Sequence, residues 1–367
     1  MPTPNIDDDA ASIASTSTTS SHRPHSPTSL FEDSLFTLFS HNQPAHGDPG
    51  DTRRYTHPHL PPSPPTTLRY KIAQNSGANT KLFAHHQWDA GLYLADLIAE
   101  QSCDSKVSEK QPERGGRCVD VRGKRVVELG AGTGLPGLVA CVMGAKQTVI
   151  TDYPDAHVID NLERNLDLAL LPRTKSSGKQ RRPNPHFTEA RQRVQVMGLG
   201  WGSVEEESRV LAASDGAMGY DLVLAADVLW VSSAHPLLIH SIRTLLKRDR
   251  RARCVLIAGF HTGRPAVRRF FLQLAQPAPP SDPSLEEGRK AGIVPDWQEE
   301  EFGGICERNV DGSQRVWSGA ALPRKADYDE RRLAKFEGEE GEEEEMGDIS
   351  DRGSWLVVAS LRWADLE

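Results

Sequence analysis

The chain has 367 residues, of which 43 are Lys or Arg and 51 are Asp or Glu, for a formal charge of −8. That balance disfavours nucleic-acid binding driven by net charge, and no stretch approaches the roughly 20 apolar residues that a membrane-spanning helix needs. Five scattered cysteines, Cys103, Cys118, Cys141, Cys254 and Cys306, lack metal-ligand spacing and read as reduced thiols, and no basic-then-apolar leader opens the chain, so the expectation is a cytosolic or nuclear monomer without metal, membrane contact or a specific nucleic-acid partner.

Residues 1 to about 66 are dominated by Ser, Thr, Pro, His and Asp and end in Leu60-Pro-Pro-Ser-Pro-Pro65, a composition that predicts a disordered tail. Within it, Leu35, Phe36, Leu38 and Phe39 form an apolar island suited to local docking. Residues 67–367 read as one α/β domain, because apolar runs alternate with amphipathic stretches. The first helix is predicted at about 86–101, where Trp88, Leu92, Leu94, Ala95, Ile98 and Ala99 recur at helical spacing. Strands follow at about 124–129, 147–151, 193–198, 220–226 and 253–259, with helices at about 134–143, 155–168, 234–247 and 264–275. Two last strands, at about 302–310 and 354–362, complete a doubly wound, mostly parallel, seven-stranded Rossmann-like sheet with helices on both faces. Surface insertions are expected at about 172–192, 276–300 and 320–352, the last carrying the acidic run Glu339 to Glu345.

The chemistry centres on the first of those strands. Lys124-Arg-Val-Val-Glu-Leu-Gly130 reads as a buried strand that runs into Gly130-Ala-Gly-Thr-Gly134, after which a helix begins. Glycines at a strand-to-helix turn let backbone approach a ligand that a side chain would exclude. The next strand ends at Asp152, twenty positions past Gly132, where a carboxylate can accept from ribose hydroxyls. Together these residues describe an adenosine-binding crevice at the carboxyl ends of parallel strands. A dinucleotide competes, since Gly132-Thr-Gly-Leu-Pro-Gly137 satisfies its fingerprint. Glu128 tilts the choice, because a carboxylate at the end of the first strand repels a pyrophosphate but suits the cationic methionine half of S-adenosylmethionine.

Four spaced stretches, Phe83-Ala-His-His-Gln-Trp-Asp-Ala-Gly91, Val127-Glu-Leu-Gly-Ala-Gly-Thr-Gly-Leu-Pro136, Thr151-Asp-Tyr-Pro154 and Asp221-Leu-Val-Leu-Ala-Ala-Asp-Val-Leu-Trp230, with Leu199-Gly-Trp-Gly202 as a fifth, make the resemblance specific. The chain resembles the class I, seven-β-strand, S-adenosylmethionine-dependent methyltransferases. Within them it is similar to the branch with protein-lysine methyltransferases, the elongation-factor N-terminal methyltransferase of yeast and fungal nicotinamide N-methyltransferase-like proteins. The resemblance implies that Trp88 packs on the cofactor, that Gly130, Ala131 and Gly132 line its methionine and ribose, and that Asp152 takes the ribose hydroxyls. It also implies that Trp201 lies near the adenine and that Ala226 offers backbone beside the transferred methyl group.

Asp227-Val-Leu-Trp230 stands where this branch shows an acidic residue, two others and then Tyr or Phe; here the aromatic is Trp. Methyl transfer is a displacement at a sulfonium, so the enzyme mainly aligns an unprotonated amine and excludes water. Asp227 can orient the nucleophile and Trp230 can wall the amine. His261, just past the fifth strand, is a further candidate for binding or proton transfer. The leading expectation is methylation of a protein amine, a lysine or an N-terminal amino group. A small-molecule N-methyltransferase acting on a nicotinamide-like amine and a catalytically silent cofactor-binding protein are the alternatives.

Overall fold

The structure is a computed structural model that describes residues 46–61, 67–75, 85–103, 119–171, 185–214, 216, 218–260, 263–296, 304–315 and 353–366. In chain order its strands are β1 (Thr52–Thr56), β2 (Thr67–Lys71), β3 (Arg125–Leu129), β4 (Gln147–Asp152), β5 (Val194–Gly198), β6 (Leu222–Ala226), β7 (Arg253–Gly259), β8 (Ile293–Pro295), β9 (Ile305–Asn309), β10 (Gln314–Arg315) and β11 (Trp355–Trp363). The helices are α1 (Asp89–Gln101), α2 (Leu135–Val142), α3 (Ala156–Leu170), α4 (Pro185–Gln192), α5 (Val204–Ala213), α6 (His235–Leu245) and α7 (Arg264–Ala275). Among the described residues no helix is long and apolar enough to cross a membrane.

The main sheet runs β10-β9-β11-β7-β6-β3-β4-β5, with β8 paired to β11. From β5 to β7 the strands are parallel, and β11 lies antiparallel to both β7 and β9. Strands buried on both faces read as near-continuous apolar runs. Their side chains alternate between two cores: Val126, Ile150 and Leu224 pack with α1, α2 and α3, whereas Val127, Leu129, Val149 and Val223 pack with α5, α6 and α7. The strand order reverses at β3, with β4 on one side and β6 on the other, and the chain leaves these strands toward opposite faces. A crevice opens at their carboxyl ends for that reason.

The seven expected strands are all present, joined in the sheet by the short β8 and β10. Three expectations change. The segment read as a tail to residue 66 contains β1, whose Tyr55, with Leu60 beyond it, is buried in the core. The proline cluster is therefore part of the connection between β1 and β2 rather than a domain boundary, and Thr-Arg-Arg-Tyr-Thr carries too little apolar periodicity to announce a strand. The stretch expected as a surface insertion at 172–192 includes α4, anchored by buried Phe187 and Ala190. The insertion expected at 276–300 is partly core: Ala278, Leu285 and Ile293 are buried, and β8 pairs with β11. The apolar island at Leu35 to Phe39, His261, and the expected insertion at 320–352 lie outside the described residues.

Candidate active site

The glycine turn leaves β3 with positive φ at Gly130 (+62°) and Gly132 (+56°), where a side chain is strained. A Cβ at Gly130 would also stand 2.9 Å from Val228 Cγ1 and 3.1 Å from the Trp201 ring. At Gly132 the reason differs, because a Cβ there would meet no protein atom within 4 Å. This turn borders open space, as a surface kept bare for a ligand does.

Asp152 ties that turn to β4. Its Oδ2 accepts the Gly132 N–H at 2.7 Å and its Oδ1 accepts the Tyr153 N–H at 2.7 Å. Burial pushes its pKa up, opposed by those two main-chain hydrogen bonds. Each carboxylate oxygen carries a second lone-pair site, so both remain able to accept from a diol. Glu128, 1 % exposed, accepts the Gly137 N–H at 2.9 Å from the start of α2. Burial pushes its pKa up to about 8, with a smaller push from the charge of Asp152 and a downward pull from the Gly137 N–H. A buried carboxyl of this kind gains by ionising when a cation arrives.

Trp88 does not lie within the helix expected there. It is the extended residue immediately before α1. Gln87 braces it, donating from Nε2 to the Trp88 carbonyl at 3.0 Å while its Oε1 accepts from the Thr133 hydroxyl at 2.6 Å. The His86 ring lies 4.9 Å from the Trp88 ring, centroid to centroid, and burial lowers its pKa to about 4, leaving a neutral imidazole.

Trp201 sits in a turn held from both sides. Glu206 accepts the Gly200 N–H at 2.6 Å, and Glu207 accepts the Gly202 N–H at 3.0 Å. Buried Glu207 also accepts from Ser241 Oγ at 2.5 Å and pairs with His240 Nδ1 at 2.8 Å, and that carboxylate raises the pKa of His240.

At the end of β6, Ala226 leads into Asp227, the one described non-glycine residue with positive φ (+58°). Asp227 N–H donates to the Ile257 carbonyl at 2.7 Å and its Oδ1 accepts the Gly259 N–H at 2.9 Å, so it fastens the end of β6 to β7. Backbone held in a sparsely populated region clusters at functional sites.

All ten residues expected from the sequence, Trp88, Glu128, Gly130, Ala131, Gly132, Asp152, Trp201, Ala226, Asp227 and Trp230, line one cavity of about 320 Å³. His86, Gln87, Thr133 and Tyr153 line it too, and they were missed. The first two belong to the Phe83–Gly91 stretch, whose only residue singled out was Trp88. The described lining carries the carboxyls of Glu128, Asp152 and Asp227 and no Lys or Arg. Such a wall favours cationic ligands and repels a pyrophosphate, and the turn at Gly132 has room for one, so the site fits S-adenosylmethionine.

Over residues 69–276 the chain matches the family described as lysine methyltransferase. It is 35% identical over 182 residues to the protein N-terminal and lysine N-methyltransferase EFM7 of Yarrowia lipolytica, a match covering 50% of this chain and 58% of that protein. The chain thus spans little more than half the length of that relative. Proteins of the same name from Schizosaccharomyces pombe and Eremothecium gossypii are 29% identical over 218 residues and 30% identical over 229. Those matches cover 70% of each relative, and 59% and 62% of this chain respectively.

Proposed function

Because the chain belongs to the lysine methyltransferase family, we propose that it transfers a methyl group from S-adenosylmethionine to a protein amine, either a lysine side chain or an N-terminal amino group. The observation that carries this reading is a cavity whose described lining holds three carboxyls and no Lys or Arg, built on a glycine turn at the sheet's switch point.

When bound, S-adenosylmethionine supplies an electrophilic methyl group on a sulfonium. Asp152 would accept from the ribose hydroxyls with the lone pairs its main-chain partners leave free, and Gly130, Ala131 and Gly132 would present bare backbone. Trp201, held by Glu206 and Glu207, would flank the adenine, and Glu128 would face the cationic half of the cofactor. Trp88 would pack on the cofactor, and Trp230 would wall the amine and exclude water, which raises the effective concentration of the aligned nucleophile. The Asp227 carboxylate, anchored by the Gly259 N–H on its Oδ1, would orient the amine. The amine reacts only when unprotonated, and neutral His86 at the cavity wall neither repels nor charges it.

The test is incubation of the full chain with methyl-labelled S-adenosylmethionine and, in parallel, protein fractions or free nicotinamide. Label recovered as methyl-lysine or methylated N-terminal residue in a protein supports the reading. Label found only in nicotinamide overturns it.

A further inference from the structure

The β1–β2 hairpin forms a separate two-stranded sheet with two unlike faces. Tyr55 stands opposite Leu68 and Arg53 opposite Tyr70, and Tyr55, Leu68 and Tyr70 are buried. The other face pairs Thr52 with Lys71, Arg54 with Arg69, and Thr56 with Thr67. It therefore carries three cations, three threonines and no carboxylate. Like charges directly opposite across two strands destabilise the pair. Among the described residues neither Arg54, Arg69 nor Lys71 has a side-chain hydrogen bond or ion pair, and Arg69 Nε is buried without an acceptor. Several arginines elsewhere do meet a carboxylate, with Arg122 on Asp120, Arg248 on Asp365, Arg253 on Asp296 and Arg264 on Glu307.

This face is coupled to the cavity wall through one side chain. Asn165 of α3 accepts the Lys71 N–H at 2.7 Å, donates to the Lys71 carbonyl at 2.9 Å and donates to the Thr133 carbonyl at 2.9 Å, and Thr133 lines the cavity. We infer that the Arg54–Arg69–Lys71 face of the hairpin is a docking surface for an extended acidic segment of the substrate protein. The inference rests on the protein-amine reading given above. It adds a requirement of charge polarity: the substrate offers a cationic amine to the carboxyl-lined cavity and an acidic stretch to the hairpin. Guanidinium groups bind carboxylates through paired N–H donors, and unpaired cations on both strands supply several at once. The face carries no aromatic side chain on which a base could stack, so a short acidic peptide fits it better than an RNA.

Binding of labelled peptides of about ten residues, long enough to lie along these strands, tests the inference on the full chain by fluorescence anisotropy without any methyl transfer. A Glu-rich peptide is expected to bind, to weaken as salt rises, and to outcompete Gly/Ser and Lys-rich peptides and a uridine oligonucleotide. Arg54→Glu should weaken that binding by about tenfold or more. Because it sets a carboxylate opposite Arg69, the same substitution should leave the melting temperature equal or higher, and S-adenosylmethionine affinity unchanged. No binding of the Glu-rich peptide, equal binding of the neutral one, tighter binding of the oligonucleotide, or full binding by the Arg54→Glu chain would each overturn the inference. None of these results bears on whether the enzyme methylates proteins.

Discussion

The carboxylate of Asp152 accepts the main-chain N–H of Gly132 at 2.7 Å, so the end of β4 and the bare turn after β3 form one hydrogen-bonded unit. Asp152→Ala removes the acceptors for Gly132 and Tyr153 together with those offered to the ribose. Cofactor affinity is expected to fall by about tenfold or more, and stability by about 1–3 kcal/mol for main-chain donors left unpaired. Calorimetric titration and thermal unfolding read the two effects separately, and unchanged affinity would remove Asp152 from the site.

Glu128 predicts a pH dependence. Its folded pKa, pushed up to about 8 from an ordinary 4.5, means the folded state holds the proton more tightly than the unfolded chain. The stability this group contributes is fully present below about 4.5 and is lost as pH rises through about 8. Glu128→Gln cannot ionise and keeps an oxygen for the Gly137 N–H, so its melting temperature should match the wild type near pH 5 and exceed it near pH 9. Affinity for the cationic cofactor should rise with pH toward 8 in the wild type, with proton release, and stay flat in the variant. Titration in buffers of different ionisation heat measures that proton.

Trp230 is half-buried at the cavity wall rather than packed in either core. Trp230→Ala is therefore expected to cost less than the roughly 3–5 kcal/mol of a fully buried aromatic while lowering turnover by about tenfold or more. Cofactor affinity should change little. A large loss of stability with turnover retained would return the residue to a packing role.

Glu207 acts on the cavity through Trp201. Glu207→Ala leaves the Gly202 N–H only its second acceptor, Ser241 Oγ at 3.0 Å, and should raise the cofactor KM more than it lowers kcat, whereas Glu207→Gln, which still offers an oxygen, should recover most of the loss. Its partner His240 has a raised pKa, so the stability of that pair is present below the ordinary histidine value of 6.5 and fades as pH rises through the folded value. An equal fall in kcat and in stability for both variants would make Glu207 a packing residue only.

The strands that build the crevice were legible because Val126, Val127, Val149, Ile150, Val223 and Leu224 form apolar runs broken by glycines and by Asp152. What escaped depends on tertiary context. A glutamate run opening α5 reads as solvated surface, yet Glu207 is buried because Gly202, Ser241 and His240 converge on it. The hairpin escaped because only Tyr55 marks its first strand, and Gln87 because a glutamine beside a tryptophan carries no periodic signal. No local pattern announces the left-handed backbone at Asp227 either.

That backbone limits which residues can be exchanged at position 227. A φ of +58° is tolerated by Gly, Asn and Asp far better than by other residues, and Oδ1 must also reach the Gly259 N–H. Glutamate, the usual conservative replacement, keeps the charge but sits poorly in this conformation and moves its carboxylate one methylene outward. Asparagine keeps the shape and the contact to Gly259 and loses the charge. Geometry and charge can thus be separated here by two single substitutions, and chains that diverge at this position while keeping the fold are confined to a very small alphabet.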